Sequence, residues 1–279
     1  MLRVIKIGGD LLEEGRQMRR LARAVCAIAA RDRVTVVHGG GREVDTEMTR
    51  VGITKRSVDG LRITDAETLD VVLGVLAGRV NTRFAAAIGA AGGSAVGLTG
   101  ADGGIATVVP AKRYRATDGS RADLGFVGLP SPRAGVPRLL HDLLDAGHVP
   151  VIASIGCNGK GQLYNVNADT LAADVAVRLG ADQLTIAGTT RGVLDREGKT
   201  IPMVDDDQVT QLIADGQVSA GMIAKLLACQ AARGGGVGRV CIVDGRRRSG
   251  LEALDEDGRG VPGTTIVTAS RTRRRAARP

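Results

Sequence analysis

The stretch Ile5-Lys6-Ile7-Gly8-Gly9 puts an ammonium inside an apolar run, with two glycines directly behind it. Glycines at the end of a strand let backbone N–H groups approach an anion closely, and a neighbouring lysine adds a full positive charge. Three more glycine-rich clusters follow strand-like runs. They are His38-Gly39-Gly40-Gly41, Gly97-Leu98-Thr99-Gly100-Ala101-Asp102-Gly103-Gly104 and Gly188-Thr189-Thr190-Arg191-Gly192. One such loop is a tight turn; several in one chain point to phosphate handling. The common phosphate motifs are absent: there is no G-x-x-x-x-G-K-[ST], and no kinase glycine loop with H-R-D. The run Gly234-Gly235-Gly236-Val237-Gly238 has no strand before it, so it is no dinucleotide loop.

A second constellation is Tyr164-Asn165-Val166-Asn167-Ala168-Asp169-Thr170. In an extended segment Asn165, Asn167 and Asp169 project to the same side. Asn167 or Asp169 also suits the N-cap of a helix beginning near Ala168. A cap needs one such residue, so the row of three reads as ligand-orienting, with Asp169 able to hold a lysine ammonium. Lys225, in Ser219-Ala220-Gly221-Met222-Ile223-Ala224-Lys225, reads by itself as an ordinary helix-surface lysine.

The elements that must position these groups come from the apolar pattern. Strand-like runs recur at Leu2–Ile7, Val34–Val37, Ala95–Leu98, Val149–Ile152, Gln183–Ile186, Val240–Val243 and Thr264–Val267. Helical patterns lie at Arg16–Ala30, Asp65–Gly89, Pro137–Ala146, Ala168–Leu179, Asp206–Asp215 and Gly221–Arg233. This alternation predicts βαβ units and a mostly parallel sheet with helices on both faces. With no Trp, two Tyr and two Phe, the core must be aliphatic, which favours the same packing. Ligands then collect at the carboxyl ends of the strands. The segment Ile105–Val136, with Lys112, Arg113, Arg115 and Arg121, is irregular and reads as a β-hairpin excursion or a flexible lid.

Composition bounds the rest. A chain of 279 residues makes one large α/β domain or two lobes around a shared sheet. Of the net charge of +8, five units are arginines in the last nine residues, which leaves +3 on the rest. That is too little to mark a nucleic-acid binder, and the tail reads as a solvated, disordered end. No apolar run looks long enough to span a membrane, and no signal-peptide pattern precedes the first strand. Cys26, Cys157, Cys229 and Cys241 are scattered without C-x-x-C spacing, as expected of free thiols in the cytoplasm rather than a metal site.

In their order and spacing these pieces resemble the amino acid kinase family, in particular its branch that phosphorylates N-acetyl-L-glutamate. The resemblance runs over nearly the whole chain. Besides the lysine, glycine and asparagine motifs above, it takes in Asp59-Gly60-Leu61-Arg62-Ile63-Thr64, Leu124-Gly125-Phe126-Val127-Gly128 and Gly263-Thr264. It implies an α/β three-layer αβα sandwich with a mostly parallel central sheet. Residues 1–175 form an acyl-amino-acid lobe, 176–268 an ATP lobe and 269–279 a basic tail. Lys6 and Lys225 are expected to reach the transferred phosphoryl group, and Asp169 to orient both. Gly40, Gly41, Arg62, Asn165 and Asn167 are expected around the acyl-amino acid, with Arg62 on its α-carboxylate. Gly8, Gly9, Thr189, Arg191, Gly192, Val193 and Leu194 are expected around the nucleotide. The implied cofactors are ATP and Mg²⁺, the ion held mainly by the nucleotide phosphates.

The chain departs from the family pattern in one loop, where Thr189 stands in place of an aspartate. Arg191 beside it either contacts nucleotide phosphates or is merely exposed. Arginine-regulated members form hexamers through an N-terminal helix. This chain enters its first strand at Leu2, so a homodimer without arginine inhibition is expected. The alternatives are an aminoadipate kinase acting on N-acylated or carrier-linked substrate, an N-succinylglutamate kinase, and a non-catalytic regulator on the same scaffold.

Overall fold

A computed structural model of the protein describes residues 1–59, 61–111, 114–115, 119–247, 251 and 263–268. The first part of the chain forms β1 (Leu2–Ile7), α1 (Gly15–Ala29), β2 (Arg33–His38), α2 (Gly41–Arg50), β3 (Ser57–Val58), β4 (Leu61–Arg62), α3 (Ala66–Leu73), α4 (Asn81–Ala90) and β5 (Ala95–Thr99). The middle forms β6 (Val108–Pro110), β7 (Tyr114–Arg115), β8 (Arg121–Ala122), β9 (Val127–Pro130), α5 (Arg138–Asp145), β10 (Val149–Ala153), β11 (Ile155–Cys157) and β12 (Leu163–Val166). The last part forms α6 (Ala168–Leu179), β13 (Gln183–Gly188), β14 (Met203–Asp205), α7 (Asp206–Ala214), α8 (Ala220–Gly234), β15 (Arg239–Asp244) and β16 (Gly263–Val267).

Eight strands make the central sheet in the order β14-β16-β15-β13-β1-β2-β10-β5. All neighbours are parallel except β15 and β16. Strand alternation divides the core in two. Val4, Val37, Ile152, Leu184 and Ile242 pack on one face with α5, α6, α7 and α8. Ile5, Ile7, Val36 and Val151 pack on the other with α1, α2, α3 and α4. The fold is therefore the expected αβα sandwich, with both faces of an aliphatic sheet covered. Lys6 alternates with Ile5 and Ile7, so it points to the face that α6 covers.

All seven anticipated main-sheet strands and all six anticipated helices form. The helix expected over Asp65–Gly89 is α3 and α4 joined by a π-helical stretch, Gly74–Val80. This 25-residue run, Ala66–Ala90, is long and apolar enough to cross a membrane, contrary to the sequence reading. Its Val75, Val80, Phe84 and Ile88 are instead buried against the sheet. The irregular segment resolves toward the hairpin alternative. β7 pairs with β8, while β6 and β9 join β11 and β12 in a second, four-stranded sheet. Lys112, Arg113 and the arginine-rich tail lie outside the described residues. The helix α2 was not foreseen: it starts on Gly41 with no side-chain cap and carries only two buried apolar residues, Val44 and Met48.

One buried polar network ties three strands, β2, β5 and β10, together. His38, at the end of β2, is fully buried. Its Nδ1 lies 3.1 Å from the Gly39 carbonyl oxygen, and its Nε2 lies 3.1 Å from the Asn81 amide nitrogen. A carbonyl only accepts and an amide NH₂ only donates, so the ring is neutral with its proton on Nδ1. The same Asn81 amide nitrogen also lies 3.0 and 2.8 Å from the carbonyl oxygens of Leu98 on β5 and Val151 on β10, so its two hydrogens are shared among three acceptors. Burial pulls the His38 pKa down to about 4 from an ordinary 6.5. The unfolded chain thus binds more protons between these values, and stability must rise with pH across that window. Between pH 7 and 4.5 the protein is expected to lose about 2–3 kcal/mol more stability than a His38→Gln variant. Urea unfolding midpoints across this range read the difference, and parallel pH profiles would contradict it.

Candidate active site

Lys6, Asp169 and Lys225 converge from three elements. Lys6 comes from the carboxyl end of β1, Asp169 from the first turn of α6 and Lys225 from the second turn of α8. Lys6 Nζ lies 2.8 Å from Asp169 Oδ1, and Lys225 Nζ lies 3.7 Å from Asp169 Oδ2. The side chains of Lys6 and Asp169 are only 8% and 7% exposed, and that of Lys225 is 21% exposed. Burial pushes the Asp169 carboxyl up, but the two ammoniums outweigh it and hold the group below its ordinary 3.8. The carboxylate is therefore ionised near neutral pH. It is an anchor for cations rather than a base.

Asn167 explains how Asp169 arrives there. Its side-chain oxygen accepts the N–H groups of Asp169 and Thr170 at 2.9 and 3.0 Å, and so caps α6. Capping fixes the first turn, and with it the direction of Asp169. The row Asn165, Asn167 and Asp169 is thus split between the end of β12, a cap and a helix, yet all three line one cavity.

Two hollows meet at Lys6 and Gly9. One, of about 220 Å³, is lined by Gly40, Gly41, Arg62, Asn165, Asn167 and Asp169, with an apolar wall from Val44, Val72, Leu76 and Val127. The other, of about 280 Å³, is lined by Gly8, Asp10, Gly188, Thr189, Thr190, Ser219 and Lys225. Glycine is required where the loops after β1 and β2 touch. A Cβ on Gly9 would stand 2.5 Å from Gly40 Cα, and a Cβ on Gly40 would stand 2.7 Å from a Leu76 methyl. This backbone-to-backbone contact lets Lys6 border both hollows.

Arg62 enters the first hollow from β4. Its Nη2 donates to the Gly41 carbonyl oxygen at 3.1 Å and to Asp45 Oδ1, and its Nη1 donates to the Met48 sulfur at 2.9 Å. Asn165 donates through its amide to Thr64 Oγ1 at 3.2 Å. Asp45, Ser154, Val44, Val72 and Leu76 had no motif to announce them, whereas Val127 lies in the quoted Leu124–Gly128 motif; all of them meet the site through long-range packing.

Other expected positions fall differently. Thr189 lines the second hollow, but Arg191, Gly192, Val193 and Leu194 lie beyond its lining. Arg191 is exposed. Gly192 sits at φ +127°, and Val193 N–H donates to Thr264 Oγ1 at 2.8 Å, which braces the loop against β16. The glycine cluster after β5 borders neither hollow. β5 is at the sheet edge, and Asp102 Oδ2 there accepts the Thr99 N–H and O–H in a closed local turn. Among the described residues, no cluster of three His, Cys, Asp or Glu side chains could hold a metal ion.

A positively charged seam between two hollows can bring an anion on one side up to a polyanion on the other. Known proteins match the chain. The model of the amino acid kinase family matches residues 1–244. The acetylglutamate kinase of Methanopyrus kandleri is 41% identical over 263 residues, covering 93% of this chain and 99% of that one. The acetylglutamate kinase of Acaryochloris marina is 37% identical, covering 95% and 91%. Among solved structures, N-acetylglutamate synthase from Neisseria gonorrhoeae, complexed with coenzyme A and N-acetyl-glutamate, superposes with a TM-score of 0.81 at 26% identity. That match covers 96% of this chain and 60% of the synthase. Giardia carbamate kinase shares the fold alone, with a TM-score of 0.65 at 15% identity over 95% of this chain and 98% of that one. The chain belongs to the amino acid kinase family.

Proposed function

We propose that the protein transfers the γ-phosphoryl group of ATP to the side-chain carboxylate of N-acetyl-L-glutamate, a step of arginine biosynthesis. The observation that carries this reading is the Lys6–Asp169–Lys225 trio at the meeting of the two hollows. The hollow with Arg62 and Asn165 takes the acyl-amino acid, and the one with Thr189 and Lys225 takes the nucleotide. Residues 1–175 then supply most of the acceptor lobe and 176–268 most of the nucleotide lobe, with β1 shared.

The chemistry asks for charge and alignment. A carboxylate oxygen attacks the γ-phosphorus, the bond from phosphorus to the β–γ bridging oxygen breaks, and ADP departs with that electron pair. The acceptor is already nucleophilic, so no base is required. Lys6 and Lys225 offset the anionic repulsion between acceptor and phosphoryl oxygens, and Asp169 keeps both ammoniums in place. The N–H groups of Gly9, Gly40 and Gly41 suit phosphate and acyl oxygens. Mg²⁺ would ride on the nucleotide phosphates, because among the described residues Asp10 is the sole carboxylate lining the nucleotide hollow. The wall of Val44, Val72, Leu76 and Val127 favours a small apolar acyl group and disfavours a succinyl carboxylate.

A homodimer fits the edge of the sheet. β5 is a half-exposed edge strand, and the groove beside it is lined by Ala77, Ala85, Ala86 and Gly97, small residues that a second copy can approach closely. Four free cysteines suit a reducing cytoplasm.

Lys6→Ala and Lys225→Ala are each expected to lower turnover by roughly two to four orders of magnitude, with the fold retained. ATP-dependent hydroxamate formation from N-acetylglutamate measures this, and near-normal turnover in either folded variant removes that lysine from the mechanism. Light scattering during gel filtration is expected to give twice the 28.8 kDa chain mass. A mass of one chain would contradict the dimer.

A further inference from the structure

Arg62 is held more firmly than a surface arginine needs to be. Its side chain is 10% exposed. Both hydrogens of Nη2 are engaged, one by the Gly41 carbonyl and one by Asp45 Oδ1. One hydrogen of Nη1 points to the sulfur of the buried Met48. All three partners belong to α2, the helix whose N-cap Gly40 and first residue Gly41 border the acceptor hollow. Asp45 is fixed in turn, because its Oδ2 accepts from Lys55 Nζ at 2.7 Å.

A guanidinium offers five N–H donors, and either two-point hold on a carboxylate uses an Nη2 hydrogen. With Nη2 given to α2, the second hydrogen of Nη1 and the Nε–H remain for a ligand. Arg62 then meets an acceptor carboxylate at a single point, and a neighbouring donor such as the Asn165 amide must hold the other oxygen. A one-point contact has no geometric insurance of its own. It depends on the guanidinium being set in advance.

We infer that Asp45 is a positioning residue for the acceptor: it anchors the Arg62 guanidinium to α2 at the mouth of the hollow, so that the remaining donors face the acceptor carboxylate. The inference rests on the reading of Arg62 as the acceptor's carboxylate contact. It gives α2 a second task beside presenting Gly41. It also couples the β3–β4 hairpin, which carries Arg62, to the glycine loop after β2.

The test compares Asp45→Ala, Asp45→Asn and Arg62→Ala in the full chain, with KM for N-acetylglutamate, KM for ATP and kcat measured separately. Loss of a charge-assisted contact predicts a rise of about ten- to a hundredfold in acceptor KM for Asp45→Ala, while ATP KM and kcat stay within about threefold. Asp45→Asn keeps the oxygen that accepts from Nη2 and drops the charge, so it is expected to recover most of that loss, rising about three- to tenfold. Should Asp45→Ala fail to fold, Asp45→Asn alone decides, and an acceptor KM within twofold of wild type overturns the inference. A parallel loss in both KM values and kcat also overturns it, since that marks a general structural role. An unchanged acceptor KM in Arg62→Ala would instead remove the reading of Arg62 itself.

Discussion

A carboxylate buried between two ammoniums is the constraint on which the rest of the molecule depends. Asp169 has given up most of its water, and among the described residues Lys6 and Lys225 are the cations that compensate for that loss. Removing either cation leaves a buried charge underpaired. Removing the carboxylate leaves two cations facing each other. Each feature nearby serves this arrangement. Strand alternation turns Lys6 toward α6, the Asn167 cap fixes the turn that carries Asp169, and α8 brings Lys225 across. The trio keeps a net positive charge of one, and that surplus makes the seam attractive to anions.

The glycines follow from the same constraint. Lys6 borders two hollows only because the loops after β1 and β2 touch through bare backbone at Gly9 and Gly40. A side chain on either would push the loops apart and separate the two hollows. The π-helical stretch Gly74–Val80 belongs here too, since it places Leu76 against Gly40. An irregular helix is thus part of the wall that shapes the hollow holding Arg62.

Much of this was legible from sequence because the signals are local. Alternating apolar runs announced the main sheet, and Asn-x-Asp before a helical pattern announced both the cap and the anchor. Lys6 was conspicuous as a charge within an apolar strand, whereas Lys225 gained meaning only from the family resemblance. What stayed hidden depends on contacts between distant residues. Asp45 lies 17 positions from the arginine it anchors, on a helix whose polar sequence and uncapped start gave no helical signal. The loop after β5 shares the glycine-rich composition of the site loops, but its strand lies at the sheet edge, and edge placement is a property of topology. The brace of the Gly192–Val193 segment against Thr264 is likewise a contact that no local pattern announces.

The central claim is that Asp169 organises charge and takes no proton. Single-turnover phosphoryl transfer by an Asp169→Asn variant, at saturating ATP and N-acetylglutamate and across pH 6 to 9, tests it most directly. The account predicts a rate about a hundredfold below wild type at every pH, with a pH profile of unchanged shape. A rate close to wild type, or a profile that gains or loses a limb in the variant, would contradict it.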